Sequence, residues 1–444
     1  MSVTRAGDGA WSSPGSAGGA RSAAFDDDDA ERATTPTRAP SSSVHAALAS
    51  GALRSTGWLA RRPWWTQVLV LFAASRVVSF LIFAAVALQQ GMNPWFPPQP
   101  DYFHFLQIWD SEWYGRIVQH GYPSVLPRSP SGTVTENAWA FYPVFPYLVR
   151  ILAAATTIPW QIVAQAIAML AGFGAALVVY RLFRHFAEHG TSMWGVAFFA
   201  FFPVSAILQV PYAESLGTLF LAWALLWIVE RRYLAAIPVV ALACLTRPIG
   251  VPLAAALAAL WVIRWFRRGT HGAALGELAR LAVLTIASGA LALAWPAIAW
   301  AATGVMTAYT DTEAVWRGSD LVPFMPWFDT GHYLFGPVLG TIAPFVLVAV
   351  VVLYLTSAHV RLVGVELRLW CAAYALYLLA FLYPQTSTFR MMLPFFPLAL
   401  AGAALSRSRA YRGTALVMFV LLQIMWVVWL WKWSELPGGG SWPP

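Results

Sequence analysis

The feature that most constrains this chain is a succession of long apolar runs separated by short connections in which the arginines are concentrated. A bilayer core of about 30 Å takes roughly 20 apolar residues as a helix. The runs at 65–88, 160–182, 191–209, 214–229, 233–246, 249–265, 279–301, 337–356, 367–383, 391–405 and 413–431 are the candidates. Lipid offers backbone amides no partner, so segments of this kind must be helical. The reading is an all-α polytopic membrane protein of about 11 transmembrane helices. Composition agrees, since 59% of the 444 residues are hydrophobic and 11% charged, with mean hydropathy +0.61. No ordinary soluble domain has this makeup.

The net charge of +8 would suggest a polyanion partner if it formed one patch. It is instead distributed as topology. With the N-terminus inside, the inside connections hold Arg61 and Arg62, Arg181 and Arg184, Arg231 and Arg232, Arg264 with Arg267 and Arg268, Arg361 and Arg368, then Arg407, Arg409 and Arg412. Basic inside loops are what the positive-inside rule demands, and nucleic acid is excluded as a partner. The agreement requires that 141–157 is not a full span. Pro143, Pro146 and Arg150 make that segment a re-entrant or interfacial helix.

Two long loops, 89–159 and 302–336, then share the extracytoplasmic face, where a site would be built. The N-terminus is expected in the cytoplasm and the C-terminus outside, in a multi-pass plasma-membrane protein. Residues 1–62 are small, polar and charged, with the acidic run Asp26 to Asp29, and read as a disordered cytoplasmic tail. The membrane domain is 63–434 and a short tail 435–444 follows. The run from Trp65 begins too late and is too long for a cleaved signal peptide, so it is expected to remain as an anchor. There is no phosphate-binding P-loop and no dinucleotide fingerprint. Cys244 and Cys371 both lie in apolar runs, which indicates neither a disulfide framework nor a cysteine metal site.

The densest chemistry is in FLQIWDSEWYGRIVQHGYP, Phe105 to Pro123, where Asp110 and Glu112 sit among Trp109, Trp113, Tyr114 and Tyr122. Residues two apart on a helix point about 200° away from each other, so the two acids should have different tasks. Glu112 precedes Arg116 by four residues and suits a surface ion pair, or a supporting acid. Asp110 is either an N-cap or a general base, and the rings around it favour the base.

Glu136 precedes the aromatic, Pro-rich turn Phe141 to Pro146. Glu214, just after Tyr212, is either a first-turn helix acid or a second acidic group of a site. Arg247 in LTRPIGV and Arg390 in TSTFRMMLPFFP fall outside, against the charge rule, and suit either lipid phosphates in general or the phosphate of a lipid-linked substrate. Arg76, within the first span, needs an internal partner. Asp311, Glu313, Asp320, Asp329 and His332 read as a solvated acidic loop, and His332 after Asp329 is no metal spacing.

The strings WDSEWYGRIVQHGYP, ENAWAFYPVFPYLVR, FFPVSAILQVPYAESL, LTRPIGV and FRMMLPFFP occur in that order across most of the membrane domain. Together they resemble the PIG-V family of GPI mannosyltransferases and its bacterial relatives. The resemblance implies a GT-C-like bundle whose large first extracytoplasmic loop contains interfacial helices, with the active site on the non-cytoplasmic face. It implies a polyprenyl-phosphate donor, usually of mannose, inversion at the anomeric carbon, and an acid of the first large loop as base, which by motif position is Asp110.

Glu112, Glu136 and Glu214 would then be supporting acids, and Arg247 and Arg390 would bind the donor phosphate. Trp109, Trp113, Tyr114, Tyr212 and His332 would meet sugar or acceptor. No cofactor is expected, and no metal need be obligatory when a lipid phosphate departs. The polar N-terminal tail and bacterial-looking composition depart from the GPI enzymes and leave the acceptor open among glycolipid, glycan and protein. An independent consideration favours a lipid-linked donor, since nucleotide sugars are generally used in the cytoplasm whereas the candidate residues lie outside. The alternatives are a transporter or flippase of a lipid-linked substrate, for which no internal repeat is evident, and a non-catalytic subunit that binds lipid-linked glycans.

Overall fold

The computed structural model describes residues 59, 61–271, 274–317, 322–436 and 444. The expected tail 1–62 lies outside these residues except for positions 59, 61 and 62, as do Asp320 and most of 435–444. Among the described residues there is no β-strand, only an isolated bridge between Arg128 and Val134.

All eleven apolar runs are helical. Six helices are long and apolar enough to cross a bilayer: Trp64–Ala87, Trp160–Phe183, Leu275–Thr303, Met325–Thr356, Gly364–Phe381 and Arg409–Trp431. A seventh is added if His189–Phe201 and Pro203–Gln209, which meet at 77°, are one broken span. The remaining runs give shorter helices, Glu214–Val229, Tyr233–Cys244 and Gly250–Phe266, and the broken pair Thr386–Phe395 and Pro397–Ala404. Length and composition therefore support six or seven crossings among the described residues where about eleven were expected. Twelve residues of α-helix rise only about 18 Å.

Trp160–Phe183 packs on Glu214–Val229, which packs on Tyr233–Cys244, and Gly250–Phe266 lies against both Leu275–Ala292 and Gly364–Phe381. Met325–Thr356 shows Val338, Leu339, Phe345 and Leu353 on its outer surface. Such an apolar face is suited to lipid.

Two breaks position the rest. Phe202 and Pro203 interrupt the seventh candidate span, and the proline removes a donor from the helical ladder. Buried Arg76 reaches across from the first span to donate to the carbonyls of Ala200 at 2.8 Å and Ser205 at 2.5 Å. Its partner inside the bundle is thus the backbone freed by the break.

The second break is at Gly336, with φ 74° and ψ 178° inside the element Met325–Thr356. The chain turns back there, so the stretch 325–335 is an arm folded against the helix that follows. A Cβ on Gly331 would lie 2.5 Å from the carbonyl oxygen of Gly340, which only two glycines allow. The segment 302–336, expected as a solvated loop, instead carries this arm and the helix Ala308–Arg317.

The first long loop holds the helices Tyr102–Phe105, Asp110–His120 and Val144–Thr156, with a short turn of helix at Ala138–Ala140. Asn137 and Thr312 hydrogen bond at 3.0 Å, and Tyr142 and Tyr309 at 3.0 Å, so this loop is tied to Ala308–Arg317.

Candidate active site

Asp110 opens its helix directly after Trp109, whose backbone is at φ 60° and ψ −124°. A bulky residue at positive φ is an outlier that costs about 1–3 kcal/mol unless its surroundings hold it. Three contacts do so. The Trp109 indole donates to the Trp431 carbonyl at 3.0 Å. Its ring meets the edge of Trp95 at 5.3 Å. The fully buried Tyr212 donates its hydroxyl to the Ile108 carbonyl at 3.0 Å and accepts the Asp110 N–H at 3.0 Å, bridging both sides of the strained residue. Asp110 is therefore the first helical residue and not the cap.

Its carboxylate enters a cavity of about 380 Å³, lined also by Tyr114, Glu136, Glu214, Arg247, Glu313, Trp316, Arg317 and Arg390. Arg390 Nη1 lies 2.5 Å from Asp110 Oδ2 and 3.7 Å from Glu214 Oε1. Arg247 Nη2 lies 3.2 Å from the same Glu214 oxygen. Asp110, Arg390, Glu214 and Arg247 thus form a chain of alternating charge, with no net charge of its own.

Glu214 is buried, and its oxygens make these ionic contacts without a well-directed hydrogen bond among the described residues. Gly217, one turn along, lets the Arg247 stem pass, since a Cβ there would stand 2.9 Å from Arg247 Cγ. Among the described residues no hydrogen bond or ion pair reaches Asp110 Oδ1, so Arg390 holds one oxygen and leaves the other open to the cavity. Burial and then the Glu214 carboxylate push the Tyr114 phenol well up, keeping it a hydrogen-bond donor.

Elsewhere in the lining, burial pushes the Glu313 carboxyl up while Arg317, 3.5 Å away, opposes it. Trp316 also lines the cavity, edge-on to Trp113 at 5.3 Å and to Phe141 at 5.6 Å.

Of the residues expected to form a site, the cavity gathers Asp110, Tyr114, Glu136, Glu214, Arg247 and Arg390. The others do not line it. Glu112 pairs with Arg116 and accepts from the Trp95 indole at 2.8 Å. With side chains 37% and 55% exposed, that ion pair is screened by water. Glu112→Gln is expected to change stability by less than about 1 kcal/mol and to leave activity unchanged, as thermal melts and initial rates would show.

Trp113 stacks on Phe141 under the Arg116 guanidinium. Trp109 and Tyr212 act on the backbone of Asp110. His332 is on the arm, 2.8 Å from Thr341 Oγ1, because the reversal at Gly336 carries it away from the cavity. Glu313, expected in a solvated acidic loop, instead lines the cavity with Trp316 and Arg317, for which no role was expected. Their signal is the i,i+4 acid–arginine spacing beside a tryptophan, which Glu112, Trp113 and Arg116 share. Among the described residues no three His, Cys, Asp or Glu side chains converge as for a metal ion.

Fold and cavity define a class: an all-α, multi-span membrane protein with a carboxylate–arginine cavity lined by Glu214–Val229, Gly364–Phe381, Thr386–Phe395 and residues of both long loops. No protein-family model and no curated protein matches the chain.

Among solved structures it is similar to the oligosaccharyltransferase of Archaeoglobus fulgidus. The apo form matches at TM-score 0.48 and 15% identity, over 83% of this chain and 56% of that one. The complex with zinc and sulfate matches at 0.47 and 15%, over 81% and 53%. The complex with an inhibitory peptide and a dolichol-phosphate matches at 0.42 and 12%, over 82% and 55%. The chain spans just over half the length of these enzymes. A likeness at this level concerns the backbone path and says nothing about this chain's chemistry.

Proposed function

We propose that the protein is an integral-membrane glycosyltransferase that moves a mannose-like sugar from a polyprenyl phosphate to an extracytoplasmic glycolipid, glycan or protein, with inversion and with Asp110 as general base. The observation that carries the reading is the Asp110 carboxylate, one oxygen fixed by Arg390 and the other free, inside a cavity that also holds cations and aromatic walls.

Asp110 Oδ1 takes the proton of an acceptor hydroxyl as its oxygen bonds to the anomeric carbon. The bond from that carbon to the phosphate oxygen breaks on the far face, and its electron pair leaves with the lipid phosphate. Arginine in the cavity stabilises the charge that develops there. Tyr114 can donate to a sugar oxygen, and exposed Glu136 stands at the mouth to meet an acceptor. The distribution of arginines supports a cytoplasmic N-terminus and an outward-facing cavity in the plasma membrane. None of these steps calls for a metal.

The 77° break between His189–Phe201 and Pro203–Gln209 favours a second reading, since broken helices are a transporter device. Reconstitution separates the two. Protein in liposomes with a labelled polyprenyl-phosphate mannose and a short mannoside acceptor is expected to move label to the acceptor, and none when GDP-mannose replaces the lipid donor. Movement of the lipid across the bilayer without any transfer would establish the second reading instead.

A further inference from the structure

The cavity contains three guanidinium groups, and they are not equivalent. Arg390 is held by Asp110 at 2.5 Å and faces Glu214 at 3.7 Å, while Arg247 leans on Glu214 at 3.2 Å. An incoming phosphate would meet like charge at either one and would have to displace the base from the first. Among the described residues Arg317 has a single carboxylate neighbour, Glu313, reached at 3.5 Å through Nη2. Its Nη1 and the adjacent Trp316 Nε1 are buried without a hydrogen-bond partner among the described residues; Arg390 Nε is too, but Arg390 Nη1 already faces both Asp110 and Glu214. Donors left unmet in this way are costly, and a rotation of the guanidinium into the cavity would relieve the cost if an acceptor were there.

We propose that Arg317, assisted by the Trp316 indole, binds the phosphate of the lipid-linked donor, leaving Arg247 and Arg390 to hold Glu214 and Asp110 in place. This rests on the donor class proposed above. A planar fork suits phosphate oxygens, and an indole N–H adds a neutral donor beside it.

The test is calorimetric binding of farnesyl phosphate to the purified full-length protein in detergent, with farnesol and inorganic phosphate as the two arms that separate tail from headgroup. Wild type is expected to bind farnesyl phosphate and neither arm with comparable affinity. Arg317→Gln is expected to weaken binding about tenfold or more, and Glu313→Gln to keep or tighten it. Arg317→Lys, which retains the charge without the fork, is expected to fall between and serves if the glutamine variant does not fold.

Undiminished binding by Arg317→Gln overturns the assignment and leaves the donor class standing. Equal losses in Arg317→Gln and Glu313→Gln overturn it too, because the pair would then be structural. Failure of wild type to bind farnesyl phosphate at all overturns the donor class with it. Equal affinity for inorganic phosphate would show a free-anion site and reject the lipid headgroup.

Discussion

Asp110→Asn is expected to lose sugar transfer by about 10²–10⁴-fold, the contribution of a positioned general base, while the protein still reaches the membrane. The amide keeps the shape of the carboxylate but offers no basic oxygen to the acceptor hydroxyl. One complication is built into the site: the same substitution deprives Arg390 of its nearest counter-ion. Removing one member of a buried pair costs about 3–5 kcal/mol when the partner is left alone. Here the cost should be smaller, because Glu214 remains 3.7 Å from Arg390.

Pairing Asp110→Asn with Arg390→Gln separates base from counter-ion. The double variant is expected to recover thermal stability toward wild type and to recover no activity. Initial rates on a lipid-linked donor, read beside melting curves, decide the matter. Transfer at the wild-type rate in the single variant would remove Asp110 from the chemistry.

Glu214→Gln is expected to be the most destabilising single substitution in the cavity. As an ordinary first-turn acid, Glu214 would be worth about 0.3–1 kcal/mol to its helix. It is instead only 4% exposed and is the counter-ion that Arg247 and Arg390 share. Neutralising it leaves a buried guanidinium short of charge, which places the loss at about 3–5 kcal/mol. Thermal or denaturant unfolding in detergent measures this directly. A loss under about 1 kcal/mol would return Glu214 to the role of a helix-terminal acid.

The helices were legible in the sequence because lipid imposes its requirement on every residue of a span, so apolar runs and helices coincide. The number of crossings was less legible. Tyr233–Cys244 is apolar throughout yet only 12 residues long, and composition does not encode where a helix ends.

The acid-and-aromatic strings pointed to the loop that supplies part of the cavity lining, but pairing did not follow from them. Asp110 and Arg390 are 280 residues apart, and no local pattern connects them. Nor does any local pattern announce the left-handed backbone at Trp109 that aims the carboxylate. The spacing of Glu112 and Arg116 equals that of Glu313 and Arg317, and the first pair lies on the surface while the second lines the cavity. The difference comes from the Asn137–Thr312 and Tyr142–Tyr309 contacts, which fold one long loop over the other. His332 was misplaced for a related reason: the reversal at Gly336 depends on a close glycine contact that spacing does not reveal.

The bond from the Trp109 indole to the Trp431 carbonyl joins residues 322 positions apart, and a neighbouring one runs from the Trp431 indole to the Phe105 carbonyl at 3.0 Å. A ribosome makes the first long loop early and must add several hundred residues before its anchor exists. During that interval only Trp95 and, about a hundred residues later, Tyr212 are there to hold Trp109 in its costly conformation, and the nascent loop waits unfinished while later helices insert. Contacts of such long range form slowly, so the backbone geometry that aims Asp110 should be among the last features this protein acquires during biosynthesis.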